Sequence, residues 1–168
     1  MATNPPAAIP TPGGGGGGGT GGILATAEYL GPATYLLTGT MAVIDAVNAT
    51  LAFDVPANGI VDVDVDIAVT LLNSTPFIVE GAIGLLDHTS GLQVGSLKSV
   101  GSVFGFTGQY TQLSIHNRFH LTGMTPGACL LDLAGVKADN GGTSIVQINV
   151  GTSGLDASPI LMQASASV

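Results

Sequence analysis

The sequence predicts an all-β chain of the sandwich or jelly-roll class, and three observations carry that reading. From Val61 to Leu71 every odd position is a branched aliphatic and every even position is Asp, Ala or Thr. Only a β-strand places alternate residues on opposite faces, so this run reads as a strand with one core side and one polar side. The rest of the chain beyond residue 22 breaks into about ten short apolar segments separated by Gly, Pro, Asn, Asp and Ser turns, the spacing of a sandwich. No segment combines a helical period with capping residues.

Taken in order, Ile23–Tyr29 and Thr34–Thr38 read as short strands broken at Gly31-Pro32. Thr40–Ile44 and Thr50–Val55 follow. Pro56-Ala57-Asn58-Gly59 has the chemistry of a tight turn and leads into the long strand Ile60–Leu72. Phe77–Leu86 is the next strand, and Asp87-His88-Thr89-Ser90-Gly91 turns the chain into Leu92–Val94 and Val100–Phe106. Thr111–Leu121 alternates again, with Leu113, Ile115, Phe119 and Leu121 on one side and Asn117 as an interruption. After the turn Thr122–Gly127 come Ala128–Ala134, Ser144–Val150 and Ile160–Ser165.

Two segments are expected: an extended arm, residues 1–22, and one β domain, residues 23–168. Met1–Pro12 is rich in Pro, Ala and Thr and favours polyproline II, and Gly13–Gly19 is an unbroken glycine run. That run has neither the every-third-residue glycine of collagen nor the Lys-Ser/Thr of a phosphate loop. Fully extended, such an arm reaches at most about 75 Å, enough to lie over a neighbouring subunit.

Lys98, Arg118 and Lys137 are the only Lys or Arg residues against eleven acids, giving a net charge of −8. There is no basic stripe for nucleic acid and no cationic patch for an anionic membrane surface, and no apolar run approaches a membrane span. Charged residues make up 8% of the chain, where about 25% is usual, which points to surface covered by partners. Cys129 stands alone in an apolar setting, as a structural thiol does, and the N-terminus lacks the features of a secretory signal, so synthesis in a cytoplasm is expected.

Ala52-Phe53-Asp54-Val55-Pro56-Ala57-Asn58-Gly59, ahead of a Val-rich strand, resembles the lead-in to the central strand of C1q/TNF-like jelly rolls. The stretches Gly84–Gly95 and Leu121–Gly127 resemble segments of small β domains in virion proteins of actinobacteriophages, which serve as head decoration or minor tail proteins. The resemblance covers roughly residues 24–167. It implies a two-sheet antiparallel jelly-roll sandwich, a homotrimer and a place on a phage particle.

Several constellations invite chemistry. Asp62, Asp64 and Asp66 stand on one side of the long strand, about 7 Å apart in sequence along it. His116, Arg118 and His120 alternate on the polar side of Thr111–Leu121. The resemblance implies that these two strands are antiparallel neighbours, pairing Asp62 with His120, Asp64 with Arg118 and Asp66 with His116. It also turns that sheet toward the threefold axis, so the charge ladder is expected to set the register of the trimer and to make it pH-sensitive through its histidines. A solvated acidic face is the plainer alternative. A calcium site is the other rival, although carboxylates along a flat strand diverge and no Asp-x-Asp-x-Asp-Gly loop is present. Asp87-His88 reads as a turn cap, and nothing in the spacing assembles Ser114, His116 and Asp132 into a triad. No nucleophile elbow is present, and the chain has no Trp to stack a sugar.

The expected function is therefore non-enzymatic, with no cofactor and no metal. The chain is expected to be a trimeric capsid decoration protein on the virion surface, its arm anchored on the major capsid protein or neighbouring subunits. A minor tail protein that binds a receptor or glycan through Asn73–Pro76, Gly105–Tyr110 or Lys137–Thr143 is the alternative.

Overall fold

The computed structural model describes residues 21–72, 78–104, 108, 110–139, 145–151 and 158–167. Residues 1–20 of the expected arm, the loop Asn73–Pro76, and most of the Gly105–Tyr110 and Lys137–Thr143 loops lie outside the described residues.

Eleven strands are described: β1 (Ile23–Tyr29), β2 (Ala33–Leu36), β3 (Ala42–Val43), β4 (Thr50–Val55), β5 (Val61–Leu72), β6 (Ile78–Asp87), β7 (Gln93–Phe104), β8 (Tyr110–Leu121), β9 (Gly127–Asp139), β10 (Ile145–Val150) and β11 (Ile160–Ala166). No helix occurs among the described residues. The strands form two antiparallel sheets. In the first, β1, β11, β5 and β8 lie side by side, with β10 taking over from β11 along the second half of β5 and β2 outside β10. In the second, β4, β9, β6 and β7 lie side by side, with β3 beside the later part of β9. The chain passes from one sheet to the other after β2, β4, β5, β7, β8 and β9, and among the described strands only β6–β7 closes as a local hairpin. This is a jelly-roll sandwich.

The period of two in the long strand specifies its place. Val61, Val63, Val65, Ile67, Val69 and Leu71 are all 2% exposed or less and fill the space between the sheets. They meet Phe119 of their own sheet and Leu51, Phe53, Ile83, Leu85, Leu131 and Leu133 of the facing one. Each such side chain contributes about 1.5–3 kcal/mol on burial, against the cost of ordering the chain. The turn ahead of β5 forms as its sequence requires. Gly59 adopts φ +66°, its N–H donates to the Pro56 carbonyl and its own carbonyl accepts from Met124. A Cβ there would lie 2.6 Å from the Met124 carbonyl oxygen, so the turn needs glycine for room as well as for φ.

Three expected boundaries differ. Leu92–Val94 and Val100–Phe106 are one strand, β7, because Gly95 and Gly101 shape irregularities in a continuous strand instead of ending it. Gly101 has φ +133°, and a Cβ there would press on Leu113 at 2.8 Å. The segment expected as Ala128–Ala134 runs on to Asp139. Gly135 does not break it, because its missing side chain makes room for Leu37, whose Cδ2 would lie 2.6 Å from a Cβ. Thr40–Ile44 yields only the two-residue β3, held against β9.

Candidate functional site, a charge ladder on one sheet face

β5 lies between β8 and β11, so its polar side is flanked on both edges. The register places Asp62 opposite His120, Asp64 opposite Arg118 and Asp66 opposite His116. These are the three expected pairs, and each is made by side chains. His120 donates from Nδ1 to Asp62 Oδ1 at 2.7 Å. Arg118 donates from Nε and Nη2 to the two oxygens of Asp64, at 2.7 and 2.8 Å, a bidentate fork. His116 donates from Nδ1 to Asp66 Oδ1 at 2.7 Å, and its Nε2 lies 3.5 Å from Asp64 Oδ1. His116 thus spans two rungs.

The two columns differ in exposure. The side chains of His116, Arg118 and His120 are 59%, 61% and 57% exposed, those of Asp62 and Asp64 19% and 15%, and that of Asp66, at the end of the ladder, 47%. Arg118 and the two imidazoles lie outermost on an edge strand, and the carboxylates sit one strand inward. The Arg118 fork holds the Asp64 carboxyl below the usual carboxylate range despite partial burial, and Asp64 in turn raises Arg118. Across β5 the ladder meets uncharged groups: Ser165 beside Asp62, Gln163 beside Asp64 and Leu161 beside Asp66. Further along the same face lie Ala68, Ser114, Thr70 and Asn149, with Asn149 donating to Thr70 at 2.6 Å.

The geometry does not gather the three Asp residues around one point. Each carboxylate is taken by a different residue of β8. Among the described residues, no group of three or more His, Cys, Asp or Glu side chains is placed to hold a metal ion. Ser114 and His116 belong to β8 in one sheet and Asp132 to β9 in the other, so those three form no triad.

Two polar clusters were not foreseen. Asp132 is 4% exposed in an otherwise apolar stretch of β9. It accepts from Thr50 Oγ1 at 2.6 Å and from His88 Nδ1 at 2.9 Å. An acid in the run Leu130–Ala134 was the signal, since a buried carboxylate requires partners. Asp45 gathers the turn after β3: it accepts from the Val47 and Asn48 amides, from Asn48 Nδ2 and from the Tyr35 hydroxyl. Partial burial works against the Asp45 carboxylate, but these hydrogen bonds outweigh it and lower its pKa, while burial and Asp45 raise that of Tyr35. Asp87 does cap its turn, accepting from the Ser90 amide and hydroxyl at 2.7 Å each, and these bonds lower its pKa. A pocket of about 220 Å³ beside β2 and β3 is lined by Tyr35, Leu37, Ala42, Ile44 and Gly135 among others. Its one titratable group, Tyr35, is already engaged with Asp45.

No family model and no curated protein matches the chain. Among solved structures it is similar to that of the infectious bursal disease virus Gx strain, at 14% identity and a TM-score of 0.34 over 87% of this chain and 35% of that one. It is likewise similar to T=1 particles derived from infectious bursal virus, at 13% identity and a TM-score of 0.40 over 86% of this chain and 35% of that one. An arabinose-bound α-L-arabinofuranosidase is similar at 16% identity and a TM-score of 0.39, over 86% of this chain and 27% of that one. The chain thus spans about a third or less of the length of these proteins, and likenesses this loose say nothing about activity.

Proposed function

We propose that this chain is a non-enzymatic structural subunit of a virus particle, a trimeric capsid decoration protein joined through the outer face of the β1-β11-β5-β8 sheet. The observation that carries the reading is the two-column ladder. Its polar side chains are committed to one another along an open sheet face, an arrangement suited to fixing register against another surface and unsuited to turning over a substrate. The exposed column of Arg118 and the two imidazoles lies on the edge strand β8 and the acidic column one strand inward. An edge of one copy can therefore lie against the face of the next, and repetition of such a head-to-tail contact closes into a ring. The resemblance of the turns to phage virion proteins supplies the particle.

Residues 1–22 are the second part of the proposal, an arm laid over neighbouring subunits of the shell. The test is decoration of shells lacking the protein. Imaging of the particle should find full-length protein on the shell, and a variant lacking residues 1–20 should remain a folded trimer that no longer attaches. That variant keeps Gly22, whose carbonyl accepts from the Ala166 amide. Equal occupancy by the truncated protein overturns the arm, and density at the tail overturns the capsid assignment.

A further inference from the structure

We propose that association of copies through the ladder face is coupled to proton uptake by His116 and His120. This inference rests on the reading of that face as the interface and adds its regulation.

The argument is a charge count fixed by the register. Three carboxylates on β5 face one guanidinium and two imidazoles on β8. The ladder therefore carries −2 while both imidazoles are neutral and zero once both are protonated. Among the described residues, the elements packed against the ladder add one negative and one positive charge, which cancel. β11 contributes Leu161, Gln163 and Ser165, which are uncharged. β1 contributes Glu28, opposite Leu161 and so one further strand from Asp66, and its charge is negative. β7, which lies beside β8 at the edge of the sandwich, contributes Lys98 as its charged residue. Arg118 stands between the two histidines and is committed to both oxygens of Asp64.

Every copy brought to such an interface adds another −2 to a place where water is being excluded. Like charges brought together oppose association, and the opposition grows as the dielectric falls. Protonation removes it. The geometry at His116 shows where the second proton would go: with Nδ1–H given to Asp66, a protonated Nε2 turns a donor toward Asp64 Oδ1 at 3.5 Å. His116 then ties two rungs together.

The surface is large enough for a partner. β5 and β8 are each 12 residues long. Two strands of 12 residues and two of 7, about 4.8 Å apart with about 3.3 Å per residue, give a face on the order of 600 Å². The smallest stable interfaces take about 600 Å² from each partner. A second copy is the partner that fits, because its edge strand β8 carries Arg118 and, once protonated, two imidazolium groups to set against the acidic column of β5.

The experiment is sedimentation equilibrium of the full chain between pH 7.5 and 5.5 at fixed ionic strength. Each proton taken up makes association about tenfold tighter per pH unit, so at least about a tenfold gain is expected across that range. Asp62→Asn with Asp66→Asn brings the ladder to zero without protons. That variant should associate tightly at pH 7.5 and lose the gain at low pH, or reverse it, because protonation now takes the ladder from zero to +2. His116→Gln with His120→Gln should stay weak throughout. If Asp62→Asn/Asp66→Asn keeps the wild-type dependence, the protons act elsewhere, His88 being the remaining histidine, and the inference falls. If the wild type assembles equally at all pH values and Ser114→Trp disrupts it, the interface stands and its regulation falls. If Ser114→Trp changes nothing, the interface itself is wrong and the inference falls with it.

Discussion

Arg118 holds Asp64 with both Nε and Nη2, at 2.7 and 2.8 Å, and no other rung of the ladder is bidentate. A lysine in that position keeps the charge and loses the fork. Arg118→Lys should therefore lower the melting temperature slightly, by no more than about 3 °C, because the guanidinium is exposed and screened. The difference should depend on pH. The folded pKa of Asp64 lies below its unfolded value, so its contribution is fully present above about pH 4 and is lost as pH falls through the folded pKa. Melting curves of both proteins should differ at pH 7 and converge as the pH is lowered through the folded pKa of Asp64.

Asn117 interrupts the apolar side of β8, and its role is to bridge the sheets. Its Nδ2 donates to the main-chain carbonyl of Ser99 on β7, at 3.2 Å. Asn117→Ala should cost about 0.5–1.5 kcal/mol in urea denaturation, with an unchanged m-value. Asn117→Asp removes the donor and should be at least as damaging.

That residue marks the limit of what the sequence makes legible. Strict alternation assigns every residue of Val61–Leu71 to a face, but that Thr111–Leu121 is its antiparallel neighbour came from the resemblance to C1q/TNF-like jelly rolls, and only with it could the Asp62–His120 ladder be expected. Gly95 and Gly101 could not be read the same way, because a glycine that ends a strand and one that shapes an irregularity within it look alike until the neighbouring side chains are known. Asp132 is 44 residues from His88 and 82 from Thr50 in the chain. They meet because β9 lies between β4 and β6, an order that no local pattern encodes.

Gly81 on β6 is packed between Val100 of its own sheet and Val146 of the facing one. A Cβ there would stand 2.7 Å from Val100 Cγ2 and 2.9 Å from Val146 Cγ1, both branched at Cβ and held in the core. Gly81→Ala should destabilise by about 1–3 kcal/mol through overpacking. Pairing it with Val100→Ala should recover part of that loss, which denaturation of the single and double variants would measure.

Cys129 pairs with Phe53 across β4 and β9 and packs against the core. Burial, with a smaller contribution from Asp87, pushes its thiol up to about 11. The thiolate is the reactive form, so native protein at pH 8 should react with a disulfide reagent far more slowly than free cysteine and release one equivalent promptly once denatured. Rapid labelling of the native protein would contradict this.

The buried carboxylate of Asp132 depends on two neighbours from different elements, Thr50 on β4 and His88 after β6. Thr50→Val keeps the side chain's shape and removes the donor, leaving an oxygen of a nearly buried carboxylate short of a partner. The cost should be about 1–3 kcal/mol. Asp132→Leu removes the carboxylate altogether, and in that background Thr50→Val takes a partner only from the Ala46 carbonyl, in an exposed hydrogen bond. The double variant should therefore be more stable than the sum of the two single losses predicts, by at least about 0.5 kcal/mol, as contacting residues in one network are. Strict additivity in a denaturation cycle would mean that the Thr50–Asp132 hydrogen bond contributes nothing and that the carboxylate is satisfied by His88 alone.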